Sequence, residues 1–169
     1  GYDNVDLQAC AARGVIVTNT PGALTNATAE LALALAMAAA RDLPGAERDL
    51  RAGSWQGWDP RRWRGFELSG ATIGVVGAGR IGTRFMELAS GFGGDRLYTS
   101  RSPKPELEQG LGAEKVELDD LLRRADFVSI SCPLDNGSRG MIGARQFALM
   151  QPHAFFITTA RGFIHDERA

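Results

Sequence analysis

Thr72-Ile73-Gly74-Val75-Val76-Gly77-Ala78-Gly79-Arg80-Ile81-Gly82 joins two signals in one short stretch. Ile73, Val75 and Val76 give its first half β-branched bulk, which reads as a short strand buried on both faces of a parallel sheet. Gly77 to Gly82 fits the pattern G-x-G-x-x-G, and Ile81, Phe85, Leu88 and Ala89 follow with helical spacing. A bare glycine pattern means little in a chain with 21 glycines, but a strand before it and a helix after it give the pattern a mechanism. Gly77 permits a tight turn, Gly79 lets backbone approach a pyrophosphate without a Cβ between them, and Gly82 lets the helix pack closely on the strand. The free amides of the helix's first turn, with its dipole, then face the anion. The expectation is a dinucleotide site built on Gly77, Ala78, Gly79, Arg80, Ile81 and Gly82.

Composition narrows the partners. With 169 residues, 44% apolar and 23% charged, the chain has enough apolar material for one domain with its own core. A net charge of -1 without a basic stripe argues against nucleic acid or an anionic membrane. Cys10 and Cys132 are isolated, with no C-x-x-C and no histidine cluster, which fits a reducing cytoplasm and no structural metal. The apolar run over residues 31–40 is too short to cross a bilayer and suits a packed helix. The chain lacks a starting Met, and Asp166-Glu167-Arg168-Ala169 reads as the first turn of a helix, so the expectation is a fragment cut at both ends.

Around that centre the pattern alternates. A short helix over residues 4–12, capped by Asn4, precedes a brief strand Val15-Ile16-Val17 and the turn-rich Thr18-Asn19-Thr20-Pro21-Gly22. Thr28 is expected to cap a long Ala/Leu helix to about Arg41, which lacks polar residues after Glu30 and so needs cover on most sides. Pro44 is expected to end that pattern, and residues 46–52 to form an amphipathic helix. Trp55, Trp58 and Trp63 with Arg61, Arg62 and Arg64 suit either an interface or a connector sealed by core tryptophans. Further strands are expected at residues 96–99, around Val116 and Leu118, at 127–130 and at 154–158. Helices are expected at 106–111, 118–125 and 144–150. Strands alternating with helices imply an α/β fold, a Rossmann-type doubly wound parallel sheet whose ligands sit off the carboxyl ends of the strands. Three loops then converge on one crevice: residues 77–82, 131–134 and 159–162. Cys132, Pro133 and Leu134, and Thr159 and Ala160, are expected to wall the dinucleotide.

The residues after the second strand bear on which dinucleotide. NAD-binding sheets of this type place an acid about 20 residues beyond the glycines to hold the ribose hydroxyls. Ser100 and Arg101 stand there instead, and no acid lies between Arg96 and Lys104. Ser100 can donate a hydrogen bond to a 2′-phosphate, Arg101 can pair with it, and Lys104 adds positive potential. NADP(H) is therefore favoured, with NAD(H) the alternative.

Taken together, these segments resemble the D-isomer-specific 2-hydroxyacid dehydrogenases, and the resemblance runs over essentially the whole chain. It rests on Gly1-Tyr2-Asp3-Asn4-Val5-Asp6, Val17-Thr18-Asn19-Thr20-Pro21-Gly22, Thr28-Ala29-Glu30-Leu31-Ala32, the glycine motif, Cys132-Pro133-Leu134, and the region from Met150-Gln151-Pro152 through Thr159-Ala160-Arg161-Gly162 to Asp166-Glu167. Ser100-Arg101 resembles the NADP-preferring, glyoxylate/hydroxypyruvate reductase branch. The resemblance implies that residues 1–27 are the end of a substrate-binding domain and residues 28–169 a truncated cofactor domain. It implies an oxidoreductase that moves a hydride between NADP(H) and a small 2-oxo or 2-hydroxy acid, acting as a homodimer through the helix near Thr28. It makes Arg161 the active-site arginine, and places the acid–base histidine and its orienting glutamate beyond Ala169. His153 precedes a strand, at the end away from the crevice, and reads as a loop residue; His165 reads as a packing or supporting group. Two rivals stand beside this reading. One is a non-catalytic, dinucleotide-sensing protein of the corepressor type. The other, within the same fold, is a formate or phosphonate dehydrogenase.

Overall fold

The computed structural model describes residues 2–169, so the Gly1 end of the first motif lies outside the described residues. Strand β1 (Ile73–Val76) is buried along its whole length, as its apolar run requires. It sits at the centre of a five-stranded, all-parallel sheet of order β3-β2-β1-β4-β5, with β2 at Arg96–Thr99, β3 at Glu114–Lys115, β4 at Phe127–Ile130 and β5 at Phe155–Thr158. Side chains alternate between two cores, as the period of two in a strand dictates. Ile73, Val75, Tyr98, Phe127 and Ile157 face one side, while Val76, Leu97, Val128 and Ile130 face the other.

Helices cover both faces. On the first face α2 (Thr25–Ala40) lies on α4 (Arg80–Ala89) and on β5. It packs through Ala29, Ala32, Ala36 and Ala40, small residues that let the backbones approach. On the second face α6 (Leu118–Arg124) sits so close to β1 that a Cβ on Gly74 would come within 2.6 Å of Leu121. The sheet is shut at the β4 and β5 entry by Asp126. One carboxylate oxygen accepts from the Thr72 amide at 2.8 Å and the other meets His153 Nε2 at 2.6 Å. The His153 ring stacks on Phe66, which also packs on Phe127 and Phe155.

Several expectations are corrected. Val15-Ile16-Val17 forms no strand; no neighbour offers it a ladder, and Ile16 is 88% exposed. Asp6, not Asn4, caps α1 (Leu7–Ala12), its carboxylate accepting from the Ala9 amide. Helix α2 starts at Thr25, which leaves Thr28 inside its first turn. Pro44 lies in the first turn of α3 (Leu43–Arg51), where its missing N–H costs nothing. Strand β3 is formed by Glu114 and Lys115, ahead of Val116, and α7 spans only Ala144–Phe147. Asp166 to Ala169 start no helix: Gly162–Ile164 make a single 3₁₀ turn, and His165 then bridges in parallel to Ile142. Helix α5 (Pro105–Leu111) and the other strands fall where expected, within a residue or two. No helix among the described residues is long and apolar enough to cross a membrane.

Candidate functional site

The register of the sheet brings the loops together. Thr99, Val76, Ile130 and Thr158 are aligned partners across β2, β1, β4 and β5, so four strands end in one row. The loops beginning at Ser100, Gly77, Ser131 and Thr159 all leave from that row. Chain order turns back between β1 and β4, which is where such sheets open a crevice.

The glycine turn shows how tightly this end is built. Gly77 has φ +95°, and a Cβ there would lie 2.5 Å from the Cys132 amide nitrogen. The β1 and β4 loops are therefore in backbone contact. Gly82 brings the first turn of α4 down onto the turn, since a Cβ there would lie 2.4 Å from the Gly77 carbonyl oxygen. Gly79 differs: it is extended, and its Cβ would meet nothing within 4 Å. The first helical bond of α4 runs from the Thr83 amide to the Gly79 carbonyl, at 2.8 Å. The amides of Arg80, Ile81 and Gly82 find no acceptor among the described residues. Open space at Gly79 beside free helical amides fits a pyrophosphate, which such a cradle of backbone donors would hold. Inside the same edge, Ser131 Oγ is buried without a hydrogen-bond partner among the described residues.

Cys132 lines the contact with the glycine turn. Burial pushes its thiol up, Asp135 adds to the shift and Arg101 opposes it, so it is a poor nucleophile at neutral pH. Pro133 and Leu134 continue into a turn pinned by Asp135 and Ser138. Asp135 Oδ1 accepts from the Gly137 and Ser138 amides at 2.9 and 3.0 Å, and Ser138 Oγ donates to the Pro133 carbonyl at 2.6 Å. On the far side of β1, Ser100 donates to the Ser102 carbonyl, and Arg101 forms an ion pair with Asp135. Lys104 starts α5, its amide donating to the Tyr98 hydroxyl at 2.7 Å. Ser100 and Arg101 thus lie at the row of strand ends, while Lys104 sits a turn further out.

At the β5 end, the Ala160 amide donates to Thr158 Oγ1 at 3.3 Å. Arg161 does not pair with Asp166 or Glu167. Its Nε and Nη2 donate to the two Asp3 carboxylate oxygens at 2.9 and 3.0 Å. The Arg161 guanidinium holds the Asp3 carboxyl below the ordinary aspartate range. The pair fastens the start of the chain to the end of β5 and leaves the Nη1 side of the fork open. His165 packs against Phe156, ring centroids 5.4 Å apart, with Nδ1 buried and unpartnered among the described residues. His153 lies with Asp126 at the opposite end of the strands, as its place before β5 implied. Three residues that shape this end, Asp3, Asp135 and Ser138, escaped the reading of the sequence. Asp135-Asn136-Gly137 carries a turn signal that could have placed Asp135, whereas no local signal marks Asp3 as the partner of Arg161.

Comparison with known proteins agrees with this geometry. Residues 33–169 match the family model described as D-isomer specific 2-hydroxyacid dehydrogenase, NAD binding domain. A glyoxylate reductase of Thermococcus litoralis is 45% identical over the whole chain, which covers 52% of that protein. A glyoxylate reductase structure from Paecilomyes thermophila superposes with a TM-score of 0.86 at 36% identity, over 100% of this chain and 50% of that one. The apo D-lactate dehydrogenase of Escherichia coli superposes at 0.88 with 30% identity, over 100% and 52%. The chain spans about half the length of the curated relatives it matches. With its parallel sheet, its glycine turn and a family match over most of its length, the chain belongs to the D-isomer-specific 2-hydroxyacid dehydrogenases, in their NAD-binding domain.

Proposed function

We propose that this chain is the dinucleotide-binding part of an oxidoreductase of the glyoxylate-reductase type that prefers NADP(H). The observation that carries the reading is the free first turn of α4 above an unobstructed Gly79, at the row where four strands end. Gly77, Ala78, Gly79, Arg80, Ile81 and Gly82 hold the pyrophosphate through backbone donors. Cys132, Pro133 and Leu134 line one wall, and Thr159 and Ala160 the other. Ser100 and Arg101 read the 2′-phosphate, with Lys104 adding potential, because the chain carries no acid between Arg96 and Lys104.

A nicotinamide held beyond these walls would supply a hydride to, or take one from, the carbon bearing the substrate's oxygen. Arg161 binds the substrate carboxylate and draws charge toward the carbonyl. Asp3 takes the Nε–Nη2 edge of its fork and leaves the Nη1 side for the substrate. A 2-oxo acid of the glyoxylate type is supported by the relatives named glyoxylate reductase, and hydroxypyruvate rests on the branch resemblance of Ser100-Arg101 alone. Neither His153 nor His165 moves the substrate proton in this reading: one lies at the wrong end of the sheet, and the other packs on Phe156 with its Nδ1 buried.

A second copy of the chain is the proposed partner. Helix α2 buries its alanine stripe inside the domain yet leaves Leu31 and Leu35 half exposed on another side. Next to it, Leu43, Leu50, Trp55 and Trp63 border an apolar groove of about 620 Å³. The two free cysteines suit a reducing cytoplasm.

Fluorescence titration of the full chain with NADPH and NADH tests the cofactor reading. NADPH should bind more tightly, and Arg101→Ala should weaken NADPH far more than NADH. Equal loss for both removes the 2′-phosphate assignment.

A further inference from the structure

Arg101 and Asp135 leave the ends of β2 and β4, the two strands that flank β1. Their ion pair therefore spans the edge of the crevice. The two partners are unequal. The Arg101 side chain is 83% exposed, and among the described residues Asp135 is its one hydrogen-bonded partner. Asp135 is locked from behind: the Gly137 and Ser138 amides hold Oδ1, and Ser138 ties the turn to Pro133. Those amides, Gly137 foremost, and Arg101 keep the carboxyl ionised below the ordinary aspartate range. An exposed cation is thus held by a fixed anion.

We propose that Asp135 is a specificity-determining residue that acts against the 2′-phosphate: it occupies Arg101, so that the phosphate must displace it, and it leaves a negative charge beside the seat the phosphate takes. This rests on the reading of Arg101 as the 2′-phosphate ligand. The pair makes the preference for NADP(H) weaker than Ser100-Arg101 alone would set it. A 2′-hydroxyl carries no charge and does not compete for the guanidinium, so NAD(H) escapes the penalty. Coulomb attraction and repulsion between exposed groups both fade with salt, and the effect should fade with them.

Asp135→Asn is the discriminating variant, because an amide oxygen can still accept from Gly137 and Ser138 while the charge is gone. Calorimetric titration of the full chain with adenosine 2′,5′-bisphosphate and with 5′-AMP separates the terms without turnover. Asp135→Asn should bind the bisphosphate about three- to tenfold more tightly at low salt, with a smaller gain at high salt, and leave 5′-AMP within about twofold. In an Arg101→Ala background the same substitution should gain less. Weaker or unchanged bisphosphate binding in Asp135→Asn, while Arg101→Ala still loses it selectively, overturns the role of Asp135 and leaves Arg101 standing. No selective loss in Arg101→Ala overturns the Arg101 reading, and the proposal with it.

Discussion

Three glycines of one motif should respond to the same substitution in three ways. Gly79→Ala adds a methyl group where nothing lies within 4 Å, at an extended backbone that alanine adopts freely, so stability should stay within about 0.5 kcal/mol. That methyl group would stand where the proposed pyrophosphate approaches. Losing one charge-assisted hydrogen bond to the helix amides costs about 1.5–3 kcal/mol, or roughly ten- to a hundredfold in Kd. Gly82→Ala instead drives a Cβ to 2.4 Å from the Gly77 carbonyl oxygen and 2.8 Å from Val75 Cγ1, which should cost about 1–3 kcal/mol of stability. Gly77→Ala adds backbone strain at φ +95° to a 2.5 Å approach on Cys132, for roughly 2–6 kcal/mol together. Urea unfolding followed by circular dichroism measures the stabilities, and NADPH fluorescence on the folded variants measures binding. Wild-type NADPH binding in Gly79→Ala, or unfolding as ready as that of Gly82→Ala, would refute the pyrophosphate seat at Gly79.

Other outcomes follow from the charged contacts and the buried thiol. Asp126→Ala removes the acceptor for the Thr72 amide and the partner of His153, and should lower stability by about 1.5–3 kcal/mol in the same urea assay. Asp3 has its folded pKa lowered by Arg161, so its contribution to stability is present above its unfolded pKa and is lost as pH falls through the folded value. Carboxyl NMR should show Asp3 titrating below the ordinary aspartate value and moving back toward it in Arg161→Ala; an unchanged titration would mean that the pair does not form in solution. Cys132, its thiol raised by burial, should alkylate more slowly at pH 7 than an exposed cysteine, and more slowly still with NADPH bound.

The fold was legible where burial and local pattern agree. β1, β4 and β5 are short apolar runs because parallel strands covered on both faces have no polar side to show, and the glycine turn carries its mechanism in its spacing. The misreadings share a cause. Val15-Ile16-Val17 has strand propensity without a strand to pair with, and β3 pairs through Glu114 and Lys115 because an edge position asks for little apolar pattern. Thr28 looked like a cap, yet α2 begins after Leu24 with no side-chain cap at all. At the site, residues in the strand-end loops could be read from order alone. Their partners could not: Asp3 reaches Arg161 across nearly the whole chain, and Asp135 reaches Arg101 from the other side of β1. Both contacts join segments that only the folded sheet brings together.

In the proposed function the dinucleotide sits on the first turn of α4, and the rest of the site depends on that. Amide NMR of the full chain titrated with NADPH tests it directly. Saturable, one-to-one shifts of the Arg80, Ile81 and Gly82 amides are expected, with Cys132 and Thr159 moving alongside. Shifts confined to the Trp and Arg segment at residues 56–62, or no shifts in a folded sample, would contradict it.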